Sequence, residues 1–481
     1  MSPLELTLTE LTAALRRREV SAAEVMRETL ARIDASHDAL NAIVARRDPE
    51  QCVADARAAD ERLARGEGRP LEGVPLAVKD LEDAAGLPTS HGSRLFAGRV
   101  ASRSSVQVER LVAAGAVVVG KTNAPELGSA AITKNLVFGV TRSPWDGERS
   151  PGGSSGGAAA ALAGEVVPLV TASDGGGSIR IPASFTGAFG LKPSHGRIPR
   201  GPLERWDTSM TAVDGPLTKT VADAALFLDC VAGPSHYDPV SLPSPGYSYL
   251  ERLREPAPTG LRVGFSPDLG YGVVQSDVAA VVEEAARAVG ALGHRLVPIA
   301  GGPPELGGAW GLLGAFELAG RLADDLDTRP EQLSRGLLDT VRFASALGPR
   351  KWDEIAEARA RLVEWVARTF EQVDLLLTPT VPFDPPPARG PFPSEVEGRL
   401  LPTAAVAVFT IPFNLAWCPA ATVRAGLSRV GLPVGLQIVG PRLADDLVLA
   451  VAAAFERARP WHPAWPSRRV GGPMAGSDPG R

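Results

Sequence analysis

The sequence predicts an α/β fold, a central β-sheet covered by helices on both faces. Three observations predict it. Helix-like and strand-like segments alternate, as where VQVERLVAAG at 106–115 runs into AVVVGKTN at 116–123. The apolar runs GVPLAVKD, EVVPLVTAS, LRVGFS and VDLLLTPT are rich in valine and leucine without polar alternation, the pattern of strands buried on both sides. Finally, 481 residues at 44% hydrophobic content suffice for a sizeable core without disulfide or metal staples.

The elements follow in order. The first 47 residues read as two helices of an outer layer. Thr7-x-x-Glu10 and Ser21-x-x-Glu24 have capping-box spacing, and Met26, Leu30 and Ile33 form an apolar stripe behind the second. GVPLAVKD at 73–80 gives a short strand ending in charge, and the helix at 106–115 leads into the next. Two glycine clusters, SPGGSSGG at 150–157 and SDGGGS at 173–178, flank a small-residue helix at 158–164 and a strand at 166–170. Because both abut regular elements, they read as tight backbone sites rather than tethers. Residues 231–260, rich in Pro, Ser and Tyr, read as a loop excursion, and helices at about 276–292 and 354–370 surround a second variable region. PFDPPPARGPFPSEVEGR at 382–399 is a long loop that either lines an entrance or crosses the surface. The expectation is a single domain over 1–467, with a helical and loop insertion at about 231–350 that shapes a substrate site, and a flexible tail at 468–481.

Composition narrows the function classes. With 50 basic and 55 acidic residues the net charge of −5 gives no electrostatic case for nucleic acid. Glycine at 51 and proline at 43 follow no period and alternate with apolar runs, so neither collagen nor global disorder fits. Cys52, Cys230 and Cys418 are far apart and odd in number, which argues for a reduced compartment. The N-terminus has no leader pattern, and no run approaches the roughly 20 apolar residues of a membrane span. A cytoplasmic protein without membrane partners is expected. His37, His91, His195, His236, His294 and His462 form no local ligand cluster, and GxSxG, HExxH and P-loop patterns are absent, so neither metal nor cofactor is expected.

The residues that carry chemistry are Lys79, Ser154 and Ser178. A serine hydroxyl is a poor nucleophile at neutral pH and needs a proton acceptor. A lysine desolvated among Val74, Leu76 and Val78 loses its proton more readily, and a second serine can relay one. Glycines before a nucleophile let backbone amides point toward a developing oxyanion.

These landmarks resemble the amidase signature family over nearly the whole chain. The matching segments are GVPLAVKD around Lys79, GKTNAPELG at 120–128, SPGGSSGGAAA at 150–160, SDGGGSIRIPASFTGAFGLKPSHGRI at 173–198, GPLTKTVAD at 215–223 and LPVGLQIVG at 432–440. The resemblance implies a single α/β fold with a central, mixed, twisted sheet and a Ser-Ser-Lys triad. Ser178 would be the nucleophile, Ser154 the bridging serine in a cis peptide, and Lys79 the base. The amides of Gly175, Gly176, Gly177 and Ser178 would surround the oxyanion. Asp174 and Arg180 would brace the loop, with a pair of solvated charges as the alternative. Ser155 would either orient Lys79 or serve packing and helix entry, and Asn123 and Glu126 would support the wall.

The implied reaction is hydrolysis of a carboxylic amide, of aryl or hydrophobic acyl type, to an acid and an amine or ammonia through a seryl acyl-enzyme. Carbamates and esters present the same carbonyl. The alternatives are the glutamine-hydrolysing A subunit of a tRNA-dependent amidotransferase and a non-catalytic scaffold. The partner would be a small-molecule amide or carbamate, with homodimerisation implied by the resemblance. Trp206, Trp310, Phe316, Phe343 and Trp417 are the candidate pocket aromatics. Three positions depart from the family pattern: Ala172 and Trp417 stand where glycine is common, and Gly175 where threonine or another residue is found.

Overall fold

The structure is a computed structural model that describes residues 2–203, 205 and 207–460. Both capping boxes form. The hydroxyls of Thr7 and Ser21 accept from the amides of Glu10 and Glu24, whose carboxylates accept from the cap amides in return, and they open helices Leu8–Arg17 and Ala22–Leu40.

The strands in chain order are β1 (Ile43–Arg46), β2 (Pro75–Lys79), β3 (Val117–Thr122), the short pair β4 (Lys134–Asn135) and β5 (Gly139–Val140), β6 (Leu169–Asp174), β7 (Phe189–Lys192) and β8 (Val213–Thr218). They continue with β9 (Arg262–Phe265), β10 (Arg295–Pro298), β11 (Leu375–Pro379), the short pair β12 (Glu395–Val396) and β13 (Arg399–Leu400), β14 (Ala420–Leu427) and β15 (Pro433–Val439). Eleven of them form one sheet in the order β1-β3-β2-β6-β8-β7-β14-β15-β11-β9-β10. The sheet is mixed: β3-β2-β6 and β11-β9-β10 run parallel, and the strands between them are antiparallel.

Every residue of β2, β8, β11 and β15 is buried. Successive strand residues point to opposite faces, so both faces of the central sheet are covered, as the unbroken apolar runs require. The edge strands β1 and β10 are partly exposed. Helix Gly156–Ala163, made of alanine, glycine and one leucine, is buried along its length and packs against β2, β3, β6 and β8. Its approach depends on small residues: a Cβ on Gly157 would lie 2.4 Å from the Asn123 amide nitrogen.

The stretch 231–350 supplies β9 and β10 to the sheet as well as the helices Gly307–Arg321 and Arg335–Ser345, which pack on each other. In the proline-rich segment, β12 and β13 make a small antiparallel hairpin. The tail at 468–481 lies outside the described residues.

The layout places the chemistry. β2 and β6 are parallel neighbours, with Leu76 opposite Leu169 and Ala77 opposite Val170, so Lys79 and the Ser173-Asp174 pair emerge together at their C-terminal ends. Crevices at the carboxyl ends of parallel strands are where α/β sheets present ligand sites.

Candidate active site

Lys79, at the end of β2, is 1% exposed. Its amide donates to Thr171 Oγ1 on β6 at 2.9 Å, which ties the two strand ends together. Its Nζ lies 2.9 Å from Ser154 Oγ, 2.8 Å from Ser155 Oγ, 3.0 Å from Ser173 Oγ and 3.3 Å from the Ser173 carbonyl. Burial pushes the Lys79 pKa down to about 7, against the opposing pull of the Asp174 and Asp214 charges. The Gly153–Ser154 peptide is cis, as the resemblance implies. Ser155 precedes helix Gly156–Ala163 without a side-chain cap bond, and its hydroxyl turns to Lys79 instead.

Ser178 follows the glycine run after β6 and opens onto the same cleft as Ser154. The loop between is held by Asp174. Its Oδ1 accepts from the Gly177 amide at 2.7 Å, and its Oδ2 from the Ile179 amide at 3.1 Å. Arg180 donates to the same carboxylate through Nε at 3.0 Å and Nη2 at 2.8 Å, both side chains being fully buried. The guanidinium also donates through Nη1 to the Thr410 carbonyl and Gln437 Oε1 and through Nη2 to Asn414 Oδ1. Burial pulls the Asp174 pKa upward, but the Arg180 charge and the Arg180 and Asn414 hydrogen bonds outweigh it and hold the carboxyl below its ordinary value. Asp174 and Arg180 are thus a buried brace, not solvated charges.

One expectation needs correction. The Gly177 amide is committed to Asp174 and is not available to an oxyanion. Among the described residues, the amides of Gly175, Gly176 and Ser178 have no protein acceptor. They are the donors the loop leaves free.

The cleft has a volume of about 1360 Å³. Ser154, Ser173, Gly175, Ser178 and Asp214 line its floor, and Leu127, Ile132, Trp310, Leu318 and Phe392 its walls. Phe392 comes from the proline-rich segment, which therefore contributes to the cleft as well as crossing the surface. Glu126 accepts from Ser93 Oγ and the Ser334 amide and stiffens the wall.

Ser173 and Asp214 were not foreseen. They sit opposite each other on β6 and β8, so their side chains share a face beside Lys79. Burial and repulsion from Glu82 push the Asp214 pKa up to about 7, with Arg200 and Lys79 pulling the other way. The only sequence signal was a charge inside the otherwise apolar VDGPLT run.

The aromatic expectations divide. Trp310 lines the cleft. Phe316 and Phe343 do not: they are 47% and 61% exposed, and Phe316 packs on Trp352 with ring centroids 4.5 Å apart. Trp417 is also absent from the lining; it stacks on His195 at 4.7 Å and donates from Nε1 to the Met210 carbonyl at 2.7 Å. Trp206 lies outside the described residues. Among the described residues no group of three or more His, Cys, Asp or Glu side chains could hold a metal, and no helix is long and apolar enough to cross a membrane.

Comparison with known proteins bears on the family and the fold. The family model described as Amidase matches residues 24–449. An acylamidase of Rhodococcus erythropolis is 37% identical over 95% of this chain and 96% of its own. The A subunit of a glutamyl-tRNA(Gln) amidotransferase from Geobacter metallireducens is 34% identical over 96% of this chain and 99% of its own. The crystal structure of a bacterial aryl acylamidase of the amidase signature family superposes with a TM-score of 0.90 at 28% identity, covering 97% of this chain and 99% of that one.

Proposed function

Since the chain belongs to the amidase signature family of amide hydrolases, we propose that it cleaves aryl or hydrophobic acyl amides through a Ser-Ser-Lys triad and a seryl acyl-enzyme. The observation that carries this reading is the buried Lys79 amine, with its pKa near 7, hydrogen-bonded to Ser154 beside the free amides of the glycine loop. An amine with that pKa is substantially neutral at neutral pH and can act as a base.

Neutral Lys79 takes the Ser154 proton as Ser154 Oγ takes that of Ser178, and Ser178 Oγ attacks the carbonyl carbon. Negative charge gathers on the carbonyl oxygen, and the amides of Gly175, Gly176 and Ser178 stabilise it. Collapse of the tetrahedral intermediate breaks the C–N bond. The proton returns along the same relay to the leaving nitrogen, so the amine departs neutral and the acyl group stays on Ser178. Water then attacks the ester with the relay as base, and the acid is released. Esters and carbamates carry the same electrophile and fit the same machinery.

The cleft walls support the substrate class: Leu127, Ile132, Trp310, Leu318 and Phe392 offer an apolar enclosure for an aryl or acyl group. The similarity to an amidotransferase A subunit favours glutamine as the second reading. The test is product-resolved mass spectrometry of the protein and its Ser178→Ala variant on a panel of anilides, aliphatic amides, carbamates and glutamine. The expected result is fastest release of aryl amine, with every activity lost in the variant. Activity persisting in Ser178→Ala would sink the mechanism, and glutamine preferred over anilides would favour the second reading.

A further inference from the structure

The run Gly175-Gly176-Gly177 has no side chains to restrict its backbone, so the direction of its peptide groups must be imposed from outside. Side chains from remote parts of the chain do this. Trp310 Nε1–H, from helix Gly307–Arg321, donates to the Gly175 carbonyl at 2.8 Å. The Thr410 hydroxyl donates to the Gly176 carbonyl at 2.6 Å. Asp174 holds the Gly177 amide.

In a trans peptide the carbonyl and the following N–H point in opposite directions, so fixing the Gly175 carbonyl also fixes the Gly176 N–H. The Trp310 ring reinforces this sterically. A Cβ on Gly176 would lie 2.4 Å from Trp310 Cζ2, so backbone and indole are in direct contact. The helix that carries Trp310 is itself tied down at Glu317, which accepts from the Thr208 hydroxyl and the Ser209 amide.

We propose that Trp310 is a positioning residue of the oxyanion site: its indole N–H locks the 175–176 peptide so that the Gly176 amide is aligned for the developing negative charge before substrate arrives. This rests on the assignment of Ser178 as nucleophile made above. A donor aligned in advance acts on the transition state more than on the bound amide, so its loss lowers kcat and leaves KM nearly in place.

The test is steady-state kinetics of Trp310→Phe, which keeps a ring over Gly176 and removes the N–H, with Ser178→Ala as control. A second form, with Trp310 replaced by β-(3-benzothienyl)alanine, exchanges the N–H for sulfur and keeps the bicyclic shape should phenylalanine disturb folding. Both are expected to lower kcat on an anilide about ten-fold; in the benzothienyl form, which keeps the shape of the cleft wall, KM should change by no more than about two-fold, and the KM comparison is made on that form. The Ki of a trifluoromethyl ketone, which forms a tetrahedral oxyanion on Ser178, should rise by the same factor as kcat/KM falls. An unchanged kcat, a loss confined to KM, or a kcat loss with an unchanged ketone Ki overturns the proposal. Activity surviving in Ser178→Ala overturns the underlying mechanism instead, and the two failures are distinct.

Discussion

At Lys79 a single buried amine is surrounded by four oxygens from Ser154, Ser155 and Ser173, and its protonation sets the pH behaviour. The groups that act on its charge are Asp174, Asp214 and Glu82, which favour the ammonium, and Arg200, which opposes it. If Lys79 works as a neutral base, kcat/KM rises with pH through about 7. Asp214, which itself titrates at about 7, carries part of a negative charge where Lys79 titrates; replacing it by asparagine removes that charge and lowers the Lys79 pKa further, so in Asp214→Asn the rising limb moves to lower pH. A limb that stays or moves upward would show that another group governs it. The stability sign follows from the same shift. Between pH 7 and 10.5 the folded chain binds fewer protons at Lys79 than the unfolded chain does, so this site favours folding progressively as pH rises through that window. Below it, burial of the amine opposes folding in full. Lys79→Met should therefore be inactive yet melt no lower than wild type at pH 7. Trp417 illustrates a different residue-scale constraint. It stands where the family commonly has glycine, and its φ of 63° is the left-handed conformation that glycine favours. Its stack on His195 and its bond to the Met210 carbonyl hold it there, so the tryptophan anchors the strip that leads to cleft residues Thr211 and Asp214.

Helix Gly307–Arg321 is the element that shapes the cleft, through Trp310, Gly311, Gly314, Ala315 and Leu318. A Cβ on Gly311 or Gly314 would meet nothing within 4 Å, so the fold does not require glycine at either position. Glycine inside a helix costs about 1 kcal/mol relative to alanine, so the open cleft wall is kept at the expense of helix stability. Gly314→Leu should therefore retain or raise the melting temperature, while KM for bulky anilides rises several-fold and short aliphatic amides are little affected. Equal KM changes for large and small amides would refute this account of the wall. The element was poorly legible in the sequence: GGAWGLLGAFELAG has five glycines among large apolar residues and no polar stripe, because one side of it faces a cleft rather than solvent. The N-terminal helices were legible because their signals are local, a hydroxyl and a glutamate three residues apart at each start.

Across the whole molecule, β2, β3, β6, β9 and β11 could be read because their apolar runs are unbroken, and Lys79, Ser154 and Ser178 could be singled out as candidates because their glycine-serine and apolar surroundings are contiguous in sequence, whereas β1, inside the stretch read as two helices, could not. Ser173 facing Asp214 could not be, since it depends on the register of β6 against β8, and Phe316 and Phe343 were misplaced because packing decides which helix face meets a cleft. The same dependence on assembly governs Arg180, which joins Asp174 at the end of β6 to Thr410, Asn414 and Gln437 from the last quarter of the chain. The guanidinium thus fastens the nucleophile loop to β15 and to helix Ile411–Leu415. Asp174→Asn would leave that buried cation without its carboxylate, and breaking a buried pair on one side costs about 3–5 kcal/mol, far more than the pair itself need contribute. The expected result is a large fall in denaturation midpoint for Asp174→Asn, with much of it recovered in the Asp174→Asn, Arg180→Met double variant, which removes the stranded charge. Activity should not return with stability, because the Gly177 amide loses its charged acceptor in both. The pH dependence has a definite sign. Because the folded Asp174 carboxyl lies below its ordinary value, its contribution is complete above the unfolded pKa of about 4 and fades only as pH falls through the folded one. The stability gap between wild type and Asp174→Asn should therefore be flat as far as this group is concerned from neutrality down to about pH 4 and narrow below it. A gap that closed already between pH 7 and 5 would mean that the carboxylate is not held by Arg180 as the structure places it.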